Sequence, residues 1–360
     1  MLRTVIFLVL TSLAFVYTHA ESVQTFAGNG KKGFSGDGGP ATEAQINNVY
    51  AVARGPDRWL YFCDMDNHRI RRVNAEGMVE TFAGNNQGGY SGDGGPANQA
   101  SLNQPYEMAW DKTGNLFFVE LGNHCVRRVD AITHQISTIA GIGQAGFSGD
   151  GGPALDASFN QPHSLAFDAS GDLFVCDILN HRIRKIEMTT GQISTWSGTG
   201  EKKTAADGSS IQSAALNGPR AIAFAPDGEC WLALREGNSV LLLDPKANTL
   251  RRVAGTGKKG FTGNGGPALE ATLSGPKCVS LDASGNVYLA DTESHSIRYI
   301  DVKKGTLELL VGNGEVGDGP DGDNPTQCRL ARPHGVFVDK DGSVFIGDSE
   351  NHRVRVWRKD

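Results

Sequence analysis

Apolar and polar positions along this chain fall into short runs that predict β-strands. Within residues 50–84 four such runs follow one another: Tyr50–Ala53, Trp59–Cys63, His68–Val73 and Met78–Ala83. Turns rich in glycine, aspartate and proline separate them, which is typical of an antiparallel meander. The first two runs are almost wholly apolar, as expected of strands covered on both faces, whereas the third and fourth mix charged with apolar residues, as expected near a rim. No segment has convincing helical periodicity.

The same unit recurs with a period of about 57 residues, which marks an array of one supersecondary element. One marker is a block similar to Asn-His-Arg-Ile-Arg, whose histidines are His68, His124, His181, His295 and His352. The other is a Gly-Asp-Gly-Gly-Pro-Ala loop that begins at Gly36, Gly92 and Gly149 and returns in altered form at Gly263. The double gap between His181 and His295 places a degenerate copy at Ser239, which makes six copies in all.

Six copies of a four-stranded antiparallel sheet predict an all-β, six-bladed β-propeller. The ends of the chain favour a closed ring. Val23–Gly28 matches the fourth strand of a repeat, Val79–Gly84, whereas the chain finishes on a third strand, His352–Trp357. We therefore expect the N-terminal strand to complete the last blade, which removes two exposed sheet edges.

Residues 1–20 are predicted to be a signal peptide, and residues 21–360 the propeller domain. Arg3 supplies a positive first region, Val5–Val16 an apolar run, and Thr18–Ala20 a cleavage site. We therefore expect a secreted protein, extracellular or periplasmic, with no membrane span after the signal peptide is removed. A net charge of −6 disfavours nucleic acid as a partner, and we expect a monomer.

Six cysteines are scattered through the repeats without a common spacing and without a Cys-x-x-Cys pair. We interpret most of them as small buried hydrophobic residues. A disulfide between Cys278 and Cys328 is left open.

The blocks Asp64–Arg71 and Gly171–Arg184 resemble NHL repeats, and the likeness extends over residues 23–360 with the fourth blade as its weakest copy. The resemblance implies a six-bladed propeller. It does not define a function, because NHL propellers serve as RNA-binding modules, sensor domains, protein-interaction platforms and, in one branch, enzymes.

Six side chains are predicted to converge on one mouth of the central channel, because each follows the residue that opens an innermost strand. In five blades that opening residue is proline, and in the first it is Val49. The six are Tyr50, Tyr106, His163, Arg220, Lys277 and His334. Such a set would bind an anion such as a carboxylate, which arginine grips bidentately and lysine attracts as a point charge. The alternative is that they are ordinary rim residues.

Pro162–Ala166 and Pro333–Val336 resemble the Pro-His strands of peptidyl-α-hydroxyglycine α-amidating lyase, in which histidines bind zinc and Tyr and Arg take part in catalysis. The resemblance makes Tyr106, His163, Arg220 and His334 the catalytic candidates. A zinc site needs about three protein ligands, and only the two histidines match, so we expect no metal or other cofactor. Zinc at these histidines and calcium in the aspartate loops are the alternatives.

The recurring polar residues are interpreted as structural. We expect each repeat histidine to bond to the backbone of a neighbouring blade. The preceding carboxylates should lock turns; they are Asp64, Glu120, Asp177, Asp291 and Asp348. One aromatic side chain recurs in four of the long loops, either as an exposed binding ring or as a pin for its own loop: Phe34, Tyr90, Phe147 and Phe261.

The leading interpretation is an exported, non-enzymatic propeller that binds a protein, peptide or glycan partner through its long loops. The alternative is a channel-centred lyase, hydrolase or lactonase, with or without a metal, that acts on a small anionic or peptide substrate.

Overall fold

The structure, a computed structural model, describes residues 21–359. The predicted signal peptide lies outside the described residues. The described chain is an all-β ring of six sheets, which confirms the six-bladed propeller. Each blade is an antiparallel meander whose first strand is innermost.

The strands are numbered along the chain. The first blade contains β2 (Val49–Arg54), β3 (Leu60–Asp64), β4 (Arg69–Val73) and β5 (Val79–Ala83). The second contains β6 (Pro105–Trp110), β7 (Leu116–Glu120), β8 (Cys125–Val129) and β9 (Ile136–Ala140). The third contains β10 (Pro162–Phe167), β11 (Leu173–Asp177), β12 (Arg182–Glu187) and β13 (Gln192–Ser197).

The fourth blade contains β14 (Pro219–Phe224), β15 (Cys230–Leu234), β16 (Ser239–Asp244) and β17 (Thr249–Ala254). The fifth contains β19 (Pro276–Leu281), β20 (Val287–Asp291), β21 (Ser296–Asp301) and β22 (Thr306–Val311), and the two-residue β18 (Gly266–Pro267) adds to its outer edge. The sixth contains β23 (Gly335–Val338), β24 (Val344–Asp348), β25 (Arg353–Lys359) and, as its outer strand, β1 (Glu21–Ala27).

The helical elements of the described residues are short 3₁₀ turns, and none of them is long and apolar enough to cross a membrane. Six lie in the loops between blades: Ala41–Glu43, Ala97–Gln99, Ala154–Asp156, Ile211–Ser213, Ala268–Glu270 and Pro325–Gln327. Four follow a second strand: Met65–Asn67, Ile178–Asn180, Thr292–Ser294 and Ser349–Asn351.

Strand β1 closes the ring. It pairs antiparallel with β25, with Val23 opposite Trp357 and Thr25 opposite Arg355. The last blade is therefore made from both ends of the described chain, as predicted. Because the outer edge of β25 is covered by β1, the ring cannot open at this blade without losing that strand pairing.

The hydrophobic core is divided among the blade interfaces. Six clusters of buried side chains each join two adjacent blades. Between the first two blades, for example, Cys63 and Ile70 pack with Phe118 and Val129. A blade therefore buries its apolar residues only against its neighbours, and the ring stabilises all six together.

The repeat histidines bond to the next blade, which confirms their structural interpretation. His124 Nδ1 accepts a hydrogen bond from the Gln161 amide at 3.1 Å, and the other four histidines make the equivalent contact. Each has a positive φ near 50° and precedes the third strand. In the fourth blade the residue that takes the place of the repeat histidine is Asn238, so the prediction of Ser239 was wrong. Asn238 has a positive φ, and its Oδ1 accepts a hydrogen bond from the Gly275 amide at 3.0 Å.

Five third-strand arginines are fully or almost fully buried, so the expectation that this strand lies near a rim is wrong for them. They are Arg71, Arg127, Arg184, Arg298 and Arg355. Arg127 shows the arrangement: it is paired with the buried Glu120 at 2.8 Å and with Asp93 of the preceding loop at 2.7 Å. It also donates to the Ser91 carbonyl at 3.1 Å. One guanidinium thus ties the loop to the blade.

The acids that precede the repeat histidines also bind the loop backbone. Glu120 accepts from the Asn103 amide at 2.6 Å and from the Asn123 side chain at 2.5 Å, and the other four acids make equivalent bonds. The turn-lock prediction is therefore confirmed, with the buried arginine as an unpredicted partner. The fourth blade has leucines at both positions of the ion pair, the fully buried Leu234 and Leu241.

The loop aromatics stack on arginines of the blade that their loop enters, which favours their role in fixing the loop, although Tyr90 and Phe147 remain exposed. Arg69 stacks over Phe34 with its guanidinium carbon 3.8 Å from the ring centre, and Arg182 stacks over Phe147 at 3.9 Å. Tyr90 and Phe261 lie under buried arginines in the same way. The Gly-Asp-Gly-Gly segments turn through glycines of positive φ. Their aspartates, Asp37, Asp93 and Asp150, form ion pairs with the buried arginines. All six cysteines are free and buried, Cys278 and Cys328 included.

The leucine pair of the fourth blade predicts how the stability of the protein responds when the ion pair of the second blade is replaced. Arg127→Leu should destabilise the protein by about 3–5 kcal/mol, because Glu120 is left buried without its cation. Adding Glu120→Leu to that variant reproduces the leucine pair of the fourth blade and should restore at least about 2 kcal/mol. Denaturant unfolding measures both, and Arg128→Leu, at a half-buried arginine of the same strand, is the control. A double variant no more stable than the single one would contradict this interpretation.

Candidate functional site

The six predicted mouth residues owe their direction to a repeated β-bulge. In the first five blades the register between the first and second strands shifts by one residue just after the first strand begins. In the third blade, Pro162 pairs with Asp177 and Ser164 with Cys176, so that His163 is the extra residue. A bulge of this kind re-aims a side chain away from the ladder. In the sixth blade Pro333 and His334 lie just before β23 rather than within it.

These six residues, the mouth ring, are brought together by the structure. Its aromatic side is continuous: the Tyr50 ring stacks on His334 with centroids 4.0 Å apart and meets Tyr106 edge-on at 4.6 Å. Tyr106 in turn meets His163 at 4.6 Å. Arg220 reaches from two blades away to donate to the Tyr106 hydroxyl and lies 4.9 Å from the centre of its ring. Five members are buried and only Tyr50 is half-buried.

The other side of the mouth ring is cationic and is tied to the rim. Lys277 Nζ lies 2.9 Å from Glu293 and 3.1 Å from His334 Nε2. Glu293 also binds Arg332 at 2.9 Å, so one carboxylate serves two cations. Ser349 donates to the Val49 carbonyl at 2.6 Å and lies 2.9 Å from His334 Nδ1. These contacts fix His334 between a lysine and a serine.

The charges of the mouth ring follow from its burial. Burial, with Arg220 next in effect, lowers the pKa of Lys277 to about 7, despite its ion pair with Glu293. Burial alone would raise the pKa of Glu293, but hydrogen bonds from Arg332 and Lys277 lower it to about 2. The two shifts are compatible, because Glu293 stays ionised through Arg332 even when Lys277 loses its proton.

The two histidines of the ring are neutral, and they differ in whether Nε2 has a hydrogen-bond partner. Burial lowers the pKa of both well below the usual range. His163 Nδ1 lies 2.6 Å from the Gln161 carbonyl, so this nitrogen carries the hydrogen and Nε2 keeps its lone pair. In His334, Nδ1 likewise donates to the Arg332 carbonyl at 2.8 Å, and Nε2 accepts from Lys277. Burial also raises the pKa of Tyr106, which therefore stays a phenol.

The mouth ring is poorly suited to a metal ion. His334 Nε2, the nitrogen that would face a metal, is occupied by Lys277, and Arg220 adds a second cation nearby. Among residues 21–359 no group of three or more His, Cys, Asp or Glu side chains is arranged to hold a metal.

Sequence reasoning missed the rim residues that close this ring. Glu293 and Arg332 lie just beyond the strand ends. Glu293 stands two residues before a repeat histidine, a position that is also acidic in three other blades (Asp66, Glu236 and Glu350), whereas the residues equivalent to Arg332 in the other blades are uncharged. The available signal for Glu293 was this recurring acid, which in the fifth blade follows the second strand of the blade that contributes Lys277.

Comparison with known proteins identifies the repeat. The NHL repeat family model matches residues 159–186 and 330–357, which cover the first three strands of the third and sixth blades. The fold and these matches together define a six-bladed β-propeller. It is one that carries NHL repeats, as the sequence predicted.

Curated relatives are longer than this chain. It is 26% identical over 273 residues to Protein SUPPRESSOR OF QUENCHING 1, chloroplastic, of Arabidopsis thaliana, which is 72% of this chain and 25% of that protein. It is 24% identical over 328 residues to NHL repeat-containing protein 2 of Bos taurus, which is 82% of this chain and 44% of that protein. The chain thus spans less than half the length of either relative.

Solved structures share the fold at low sequence identity. An auxiliary nutrient binding protein from Bacteroides thetaiotaomicron has a TM-score of 0.69 and 17% identity, over 97% of this chain and 78% of that one. A gluconolactonase from Xanthomonas campestris has a TM-score of 0.61 and 13% identity, over 97% and 94%. A virginiamycin B lyase from Staphylococcus aureus has a TM-score of 0.58 and 13% identity, over 94% and 100%.

Lys277 should give the protein a measurable dependence of stability on pH. Its folded pKa of about 7 lies below the usual value of about 10.4, so above about pH 7 the unfolded chain binds more protons than the native protein. The free energy of unfolding should therefore rise with pH, by up to about 1.4 kcal/mol per unit for this group.

Comparison with Lys277→Met isolates that contribution, because Glu293 keeps Arg332 in the variant. The stability of the native protein relative to Lys277→Met should increase between about pH 7 and pH 9, as measured by denaturant unfolding. Lys340→Met, at an exposed lysine, is the control. A difference between native protein and variant that stays constant over this range would contradict a buried, easily deprotonated Lys277.

Proposed function

We propose that this propeller is a non-enzymatic binding scaffold whose loop face holds an acidic protein, peptide or glycan partner. The observation that carries the proposal is the closure of the mouth ring: its polar groups bond to one another and to the rim, and five of its six residues are buried. The mouth ring therefore closes this end of the channel and leaves little room for a substrate. The side chains that a partner could contact at this end of the channel are then those of the surrounding loops.

The loops suit a binding role because they are rigid and because three of them carry exposed pairs of lysines. Buried arginines fix five of the six loops to the blades, so a partner would meet a largely preformed surface and lose little free energy to ordering it. Three loops carry an exposed lysine pair: Lys31–Lys32, Lys202–Lys203 and Lys258–Lys259. Each pair is a local patch of positive charge on loops that also carry carboxylates, and such a patch would favour contact with an acidic group of a partner.

Export belongs to the same proposal. Residues 1–20 have the features of a signal peptide, and an exported scaffold would meet extracellular or periplasmic partners. N-terminal sequencing of the protein from culture medium or periplasm tests this part, and an intact Met1 would contradict it.

A loop variant tests the binding surface directly. Lys31→Glu, Lys32→Glu, Lys258→Glu and Lys259→Glu together should weaken binding to acidic peptides and glycans on an array by about tenfold or more, because the steering charge is reversed. The matched control reverses two exposed lysines at the opposite end of the channel, Lys112→Glu and Lys340→Glu. Unchanged thermal unfolding would show that the loop variant is folded.

A ring variant separates this proposal from the channel-enzyme alternative. His163→Ala with Arg220→Ala should leave binding by the loop face within about twofold of the native protein. Loss of binding in the ring variant but not in the loop variant would overturn the scaffold proposal.

A channel-centred lyase, hydrolase or lactonase is the second candidate. The bare Nε2 of His163 and the Arg220–Tyr106 pair favour it, since a base beside a guanidinium could act on an anionic substrate. It requires the mouth ring to open. Turnover of lactones or acidic peptides that Arg220→Ala abolishes, with unchanged thermal unfolding, would support this candidate.

A further inference from the structure

The channel beyond the mouth ring holds a cavity of about 310 Å³. This volume is at the lower end of the range for small-molecule sites, about 300–1,000 Å³. The cavity is lined mainly by apolar residues of the innermost strands and extends to their far ends, where half-buried Arg54, Trp110 and Phe337 border it. It is therefore distinct from the loop face and lies on the opposite side of the mouth ring.

A single carboxylate enters this apolar space. The residues directly after the ring residues are small in five blades, namely Ala51, Ser164, Ala221, Cys278 and Gly335. In the second blade this position is Glu107. Its Oε2 lies 3.9 Å from the sulfur of Cys278, which belongs to a blade three positions away, so the side chain reaches across the channel.

Glu107 forms no ion pair with another residue of the range 21–359. Apart from the long contact with Cys278, its carboxylate accepts only from the adjacent Met108 amide at 3.2 Å. Arg54, a cation on the cavity wall, is paired with Asp339. Burial raises the pKa of Glu107 to about 7, as expected of a carboxylate that lacks a counter-ion.

We propose that this cavity is a binding site for a small organic cation, a primary ammonium group carried on an apolar body. The ammonium would give Glu107 the ion pair that it lacks, and the apolar body would fill the walls lined by residues such as Ala109 and Val279. One carboxylate among apolar walls does not supply the six or more oxygens of a calcium site. An anionic ligand would be repelled. This site does not depend on the loop-face function proposed above.

Three probes of the same shape test the site at about pH 8, where Glu107 is mostly ionised. They are phenethylamine, 2-phenylethanol and phenylacetate, which are cationic, neutral and anionic. Isothermal titration calorimetry of the native protein should show the tightest binding for phenethylamine and the weakest for phenylacetate. Failure to bind phenethylamine at millimolar concentration, or equal binding of the neutral probe, would overturn the proposal.

Two variants distinguish the charge from the cavity. Glu107→Gln should weaken phenethylamine by about tenfold or more while leaving 2-phenylethanol nearly unchanged, because one charge-assisted hydrogen bond is lost. Ala109→Met fills part of the cavity and should weaken both probes. Glu315→Gln, at an exposed loop carboxylate, is the matched control and should change neither.

Thermal unfolding accompanies these measurements. Glu107→Gln should be as stable as the native protein or more so, because it removes an unpaired charge from a half-buried position in the channel. Unchanged affinity for phenethylamine in a folded Glu107→Gln variant would show that binding rests on the apolar walls alone and would refute the ammonium site.

Discussion

The buried arginine of the third strand is the interaction on which most of this propeller depends. In five blades it fills the space between the blade and the loop that enters it, and it neutralises or binds groups from both. A guanidinium has five donors in a fixed fork, so it can satisfy a carboxylate and several carbonyls at once. Arg298 uses this capacity without a loop acid, donating to the carbonyls of Thr262 and Thr272 at 2.7 Å each. The long loops are ordered because this donor set leaves their carbonyls satisfied.

The fourth blade shows that the ion pair is one solution and not a requirement of the fold. Leu234 and Leu241 replace the acid and the arginine together, and the loop there keeps a bond that the second blade also has: Asp207 accepts from the Arg252 amide, as Asp93 does from the Thr138 amide. Exchange of both members is physically reasonable, because a lone buried charge is far more costly than a buried leucine. The repeat therefore tolerates a change of chemistry at these positions only when both partners change, which explains why the weakest sequence copy still forms a complete blade.

Much of the architecture was predictable because a repeat constrains every blade by the same pattern. The period predicted six blades, and the match between the N-terminal strand and the fourth strands predicted the closure by β1. The mouth ring was predictable for a related reason, since the residue after the opening proline has the same geometric role in each blade. The degenerate fourth copy was misplaced by one residue, although the spacing of 57 residues from His181 and from His295 points to Asn238. Asparagine shares with histidine both tolerance of positive φ and a side-chain acceptor, and its φ and its bond to Gly275 distinguish it from Ser239. The buried arginines were misjudged because charge in a strand is ordinarily read as exposure.

The two ends of the channel differ because of what each blade places at adjacent positions. Large polar residues at the bulge close one end, and the small residues that follow them leave space beneath. A residue such as Glu107 is informative in that setting, since its neighbours around the ring are small and its charge has no partner among the described side chains. No repeat-level requirement explains a carboxylate there. The buried third-strand arginines come with counter-ions, whereas Glu107, like Arg220 of the mouth ring, forms no ion pair within residues 21–359. Glu107 differs from Arg220 in that it borders a cavity with room for a ligand to supply the missing charge.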